Sequence, residues 1–99
     1  MTIYDEVGEY VERHGRLIQE MPSFGGKKRV YRVGKDMVVL DTAPVAPEDI
    51  VVAVLREGGL VYLSPAGRQG LETVTGSRVP APPEGVLQGL LAGWRKEEG

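Results

Sequence analysis

The sequence predicts a single α+β domain over residues 1–99, with an antiparallel or mixed sheet packed against helices in the order α-β-β-α-β-β-α. Three observations predict it. The N-terminal stretch repeats apolar side chains at helical spacing, the middle alternates β-branched runs with glycine-rich turns, and the C-terminal stretch returns to helical spacing. With 99 residues, 41% of them apolar, the chain has material for one hydrophobic core.

Residues 3–21 read as an amphipathic helix. Ile3, Val7, Tyr10, His14, Leu17 and Met21 follow steps of three and four, and Tyr4, Val11 and Ile18 widen the apolar arc. Thr2 suits the N-cap, while Pro22 and Gly25-Gly26 end the helix. Glu9–Arg13 and Glu12–Arg16 have the favourable i,i+4 spacing. Gly8 and Gly15 share one edge of the arc, where close approach of another backbone would offset their low helix propensity.

Residues 27–34 and 36–42 read as strands joined by a short hairpin connection at Gly34-Lys35-Asp36. Residues 46–57 carry opposed signals. Pro47, Glu48, Asp49 and the terminal Gly58-Gly59 mark a helix, whereas Ile50-Val51-Val52 and Val54 favour a strand; the agreement of start and stop signals favours the helix. Leu60–Leu63 is a short strand, Ser64-Pro65-Ala66-Gly67 a β-turn and Leu71–Thr75 a further strand. Residues 76–83 contain three prolines and form a stiff extended linker. A helix over 83–96 closes the domain, with Val86, Leu87, Leu90, Leu91 and Trp94 on its apolar face and Arg95 and Lys96 near its C-terminal dipole.

The composition excludes several chemistries. Without cysteine there is no disulfide, thiolate nucleophile or cysteine-based zinc site, and with His14 as the sole histidine there is no histidine-rich metal site within one chain. No cofactor and no metal is implied. No apolar run approaches the roughly 18 residues of a membrane span, and the acidic N-terminus has no secretory h-region, so a cytoplasmic protein without a membrane partner is expected. The lack of asparagine and the preference for arginine over lysine predict thermostability, with a midpoint above the roughly 45–65 °C mesophile band. A calorimetric scan checks this; a midpoint inside that band counts against it.

Charge is unevenly distributed. Residues 27–35 hold five bases and no acid, whereas the flanking segments are both net acidic. Lys27, Lys28, Arg29, Arg32 and Lys35 can neutralise phosphates, and Tyr31 or Phe24 can stack on a base, which makes this segment a candidate for nucleic-acid or anion binding. The competing account is an edge strand guarded by cations against edge-to-edge pairing. His14 lies on the apolar seam and reads as a hydrogen-bonded core or interface histidine. Ser23, Ser64 and Ser77 lack a nucleophile-elbow context. Asp36, Asp41, Glu48 and Asp49 can converge near the ends of the second strand and the middle helix, where paired carboxylates bind a hard cation or do acid–base work, but capping and turn roles explain Asp49 and Asp36 more simply. The catalytic equipment is thus sparse, and an enzyme is disfavoured.

The stripe Gly85, Gly89 and Gly93 beside Trp94 is the most unusual pattern. Each glycine inside a helix costs about 1 kcal/mol relative to alanine. Close packing would offset this, either on the glycine edge of the first helix or on a second copy across a two-fold axis. The expected function is a non-catalytic protein-interaction or regulatory module that self-associates as a homodimer, and the alternative is nucleic-acid or phosphate-ligand binding through residues 24–35.

Overall fold

A computed structural model of the protein describes residues 2–23, 26–42 and 50–98. Helix α1 (Ile3–His14) is followed by strands β1 (Arg16–Ser23), β2 (Gly26–Val33), β3 (Asp36–Thr42), β4 (Val51–Arg56) and β5 (Gly59–Leu63), then by helices α2 (Pro65–Thr75) and α3 (Val86–Glu98). The five strands form one antiparallel meander in chain order. The fold is α+β as expected, but its order is α-β-β-β-β-β-α-α.

Three expected elements change identity. The N-terminal helix stops at His14, not at residue 21. Thr2 caps its start, exchanging hydrogen bonds with Asp5 in a capping box. Gly15 ends it in an extended conformation, packed so closely that a Cβ there would lie 2.5 Å from the Val11 carbonyl oxygen and 3.3 Å from Cβ of Tyr31. Residues 16–23 then pair with β2. The Glu12–Arg16 helical pair therefore does not form, and Glu12 meets Arg29 at 3.5 Å instead.

Residues 51–56, expected as part of a helix, form β4 between β3 and β5. The β-branched run prevails because the strand is paired on both sides, with β3 and β5, and buries Val52 and Val54 in the core. Pro47, Glu48 and Asp49, which carried the helix signal, lie outside the described residues. Residues 71–75, expected as a strand, belong to α2. Here Ser64 is the N-cap residue, Pro65 occupies the first turn and Gly76 adopts the left-handed conformation after the last one. The Ser64 hydroxyl does not cap α2. It accepts from Val52 N at 2.9 Å and donates to Ile50 O at 3.1 Å, tying the start of α2 to β4.

The core lies on one face of the sheet. Tyr31 and Val33 of β2, Val38 and Leu40 of β3 and Val52 and Val54 of β4 point to it, and Val7 and Val11 of α1 and Leu87, Leu90, Leu91 and Trp94 of α3 cover it. Tyr10 Oη donates to the Trp94 carbonyl at 3.0 Å, fixing α1 against α3. Where Val33, Asp36 and Arg56 stand opposite one another across three strands, Asp36 is buried. Its two oxygens accept from Arg56 Nε at 2.7 Å and Nη2 at 2.9 Å, and from Trp94 Nε1 at 2.7 Å. Arg56 holds the Asp36 carboxyl below its ordinary pKa, against the opposing effect of burial, and the indole bond adds to the lowering.

The helical glycines do not pack as expected. A Cβ at Gly8, Gly89 or Gly93 would meet nothing within 4 Å, and Gly85 precedes α3 with φ +84°. Intramolecular packing thus does not account for the stripe. Gly89→Ala and Gly93→Ala are each expected to raise stability by about 1 kcal/mol, since both positions are helical and open. Urea unfolding measures this; a loss of stability in either variant would show that the glycine is needed within the monomer.

Candidate functional site

The basic segment does not form one surface. Strand β2 is paired on both sides, with β1 and with β3, so it is not a guarded edge. Its side chains alternate between faces. Lys27, Arg29 and Tyr31 take the helix-covered side. Tyr31 is buried in the core. Arg29 donates to Glu20 at 2.7 Å, and Lys27 lies 3.7 Å from the same carboxylate. Arg29 foremost, with Lys27 adding to it, holds Glu20 below its usual pKa. Lys28 and Arg32 take the opposite face, and Lys35 sits in the β2–β3 turn. Phe24 and Gly25 lie outside the described residues.

Trp94, read from the sequence as an interface residue, is buried against Asp36. Gly89 and Gly93 line a groove of about 410 Å³ beside Lys35, Arg56 and Glu97. A second cleft of about 470 Å³ lies between α1 and the sheet, with Glu9, Glu12, Lys27 and Arg29 on its walls and Leu40, Ile50 and Val52 among its apolar lining. His14 is exposed and its ring lies 4.6 Å from that of Tyr10. Tyr4 and Tyr62 share a 2.7 Å hydroxyl–hydroxyl hydrogen bond, and burial pushes the Tyr62 phenol above its ordinary pKa. Among the described residues no group of three or more histidine or carboxylate side chains is placed to hold a metal ion. No helix among them is long and apolar enough to cross a membrane.

The face of the sheet turned away from α1 and α3 has a different character. Its central cross-strand row is Val30, Val39, Ala53 and Leu63, one residue from each of β2 to β5. The adjoining row is Arg32, Met37, Leu55 and Leu60, and the row on the other side is Lys28, Asp41 and Val51. The apolar members are only partly buried, and Leu60 is 52% exposed. An antiparallel sheet with one solvated face normally alternates apolar and polar side chains. In β4 the alternation fails, because Val51, Ala53 and Leu55 face outward while Val52 and Val54 face the core.

Helix α2 covers one corner of this open face. At Gly67 the helix approaches so closely that a Cβ would lie 2.5 Å from Leu63 Cδ1 and 3.3 Å from Val51 Cγ1. Beyond that contact α2 leaves its own Leu71 and Val74 exposed, Val74 by 84%. The apolar patch thus runs from β2 across the sheet to α2. On the sheet, Arg16, Lys28 and Arg32 lie on its β1–β2 flank, with Asp41 of β3 directly opposite Lys28.

Both sheet edges carry features that discourage strand addition. Strand β1 has a register shift between Leu17 and Gln19 and contains Pro22. Residues 79–83 run beside β5 with a hollow of about 240 Å³ between them, and prolines 80, 82 and 83 have no N–H to donate.

Comparison with protein-family models, with curated proteins and with solved structures finds no match to this chain.

Proposed function

We propose that this domain is a non-catalytic self-association module whose partner is a second copy seated on the open face of the sheet. The observation that carries the reading is the uninterrupted apolar row Val30–Val39–Ala53–Leu63 on a face that α1 and α3 leave uncovered. Burial of apolar surface contributes roughly 25 cal/mol per Å², so such a face is a standing source of association free energy. Two antiparallel sheets pack face to face about 10 Å apart with interdigitating side chains. Five strands of this length span roughly 24 Å by 18 Å. That footprint, roughly 430 Å², is about half of the roughly 800 Å² per partner of a standard interface, and the exposed apolar side chains of α2 add to it.

Nucleic-acid binding through residues 24–35 draws less support. Tyr31 is in the core, Lys27 and Arg29 face carboxylates, and the cations are divided between two faces of the sheet.

A face this small sits at the low end of specific interfaces, so weak association, in the micromolar range, is expected. Sedimentation equilibrium is expected to show mass rising from monomer to dimer across about 1–200 µM. A strictly monomeric mass throughout that range would overturn the reading.

A further inference from the structure

We propose that the groove beside β5, lined by Tyr62, is a recognition site for proline-rich segments of other chains, and that residues 79–83 occupy it as a built-in competitor. The groove is separate from the open sheet face, so this inference stands independently of the self-association proposed above.

The segment Val79-Pro80-Ala81-Pro82-Pro83 has little conformational choice. Each of its residues either is a proline, with φ held at about −65°, or precedes one, which disfavours the helical region. Such a segment is a preformed polyproline II helix with three residues per turn. Its exposure follows that period. Val79 and Pro82, three positions apart, are half-buried, while Pro80, Ala81 and Pro83 are exposed. One edge of the helix is seated and the rest faces water, as when a proline-rich ligand lies in an aromatic-lined groove.

The groove supplies the matching parts. Tyr62 lines both the hollow of about 240 Å³ between β5 and residues 79–83 and a second one of about 220 Å³, which Tyr4, Arg68 and Glu84 share. The 2.7 Å hydroxyl bond to Tyr4 holds the Tyr62 side chain in place. Arg68 is anchored by Nη1, which donates to the Leu63 carbonyl at 2.8 Å. It sets a cation in the same hollow as the acid that follows the prolines.

The seat is also a loose one. The sheet ends at β5, and among the described residues no backbone hydrogen bond joins residues 79–83 to it. The Val79 N–H donates to Glu72 Oε2 at 2.7 Å, and the three prolines have no N–H to give. Side-chain contact and the tethers to α2 and α3 therefore retain the segment, and a ligand of the same chemistry can displace it. Tethering gives it an effective concentration on the order of millimolar. A groove filled in this way for roughly nine-tenths of the time weakens the apparent affinity for an outside ligand about tenfold.

The probe is the acetylated and amidated peptide of residues 79–85, titrated into isotope-labelled protein while the amide NMR shifts of residues 60–63 are followed. Wild type is compared with Val79→Ser/Pro82→Ser, which removes the two seated side chains. Melting and Trp94 fluorescence first establish that the variant is folded with α3 docked; if it melts early, Pro82→Ser alone replaces it. The peptide is expected to shift residues 60–63 of the variant with a Kd at least about tenfold lower than for the wild type. No shift at residues 60–63 in the variant would show that residues 79–83 only connect α2 to α3, and would overturn the proposal. Equal Kd values in the two proteins would place the peptide outside the groove and would also overturn it.

Discussion

Asp36→Ala lowers stability by about 3 kcal/mol, which for a domain of this size moves the thermal midpoint down by roughly 15 °C. The effect is large because three elements meet at one carboxylate. Asp36 opens β3, receives both guanidinium bonds of Arg56 at the end of β4, and accepts the indole N–H of Trp94 on α3. Removing it strands a buried indole donor, which alone costs about 1–3 kcal/mol. Arg56 is part-exposed and recovers some hydration, so the total falls at the low end for breaking a buried pair. The sign of the pH dependence follows from the depressed pKa of Asp36 in the folded protein. The stabilisation is complete above the unfolded-state value of about 3.9 and is lost as pH falls through the lower folded value. Urea unfolding at pH 7 and at pH 3 is expected to show the wild type losing more stability than Asp36→Ala on acidification. Equal losses in the two proteins would mean that the carboxylate carries no such linkage.

Val39→Glu is expected to abolish the proposed self-association and leave the monomer folded. Val39 occupies the central row of the open face, so two copies seated there would bring two carboxylates into the apolar middle of the contact. Desolvating them without partners raises the dissociation constant by at least about 100-fold. Within the monomer the same side chain reaches water, and a polar residue there restores the alternation expected of a solvated antiparallel face. Sedimentation equilibrium is therefore expected to give a monomer, with a circular-dichroism spectrum like that of the wild type. A variant that stays dimeric would show that this face is not buried by association.

The sequence made the hairpin of β2 and β3, the β5 strand, the Thr2 cap and the closing helix legible, because each has a strong local signal. It misled where a local signal had two meanings. Ser64-Pro65 can open a β-turn or a helix, and Gly76 decides for the helix by ending it eleven residues later. Leu17, Ile18 and Met21 extend the helical seam of α1 numerically, while the register shift in β1 removes the period-two pattern that would have marked a strand. The basic segment suggested a surface, but strand alternation sends its residues to opposite faces and buries Tyr31. The open face had a signal that was present and unused. Val51-Val52-Ala53-Val54-Leu55 is apolar without alternation, as in a strand that is covered on both sides. The Asp36–Arg56–Trp94 cluster had none, because its members come from positions 36, 56 and 94 and only the fold brings them together.

Chain order in the meander also bears on how the domain closes. Every strand pairs with its neighbour in sequence, so the sheet assembles from adjacent hairpins at small loop-closure cost. The contacts that complete the core are of another kind. Trp94 reaches Asp36 across 58 positions, and Tyr10 reaches the Trp94 carbonyl across 84. Because these contacts span some of the longest separations in the chain, α3 is expected to dock late, onto a sheet already formed. During synthesis α1 is present from the start, but the part of the sheet's core face that α3 closes stays open until Trp94 has left the ribosome. In that interval the nascent chain displays two apolar faces, and it is then most in need of a chaperone.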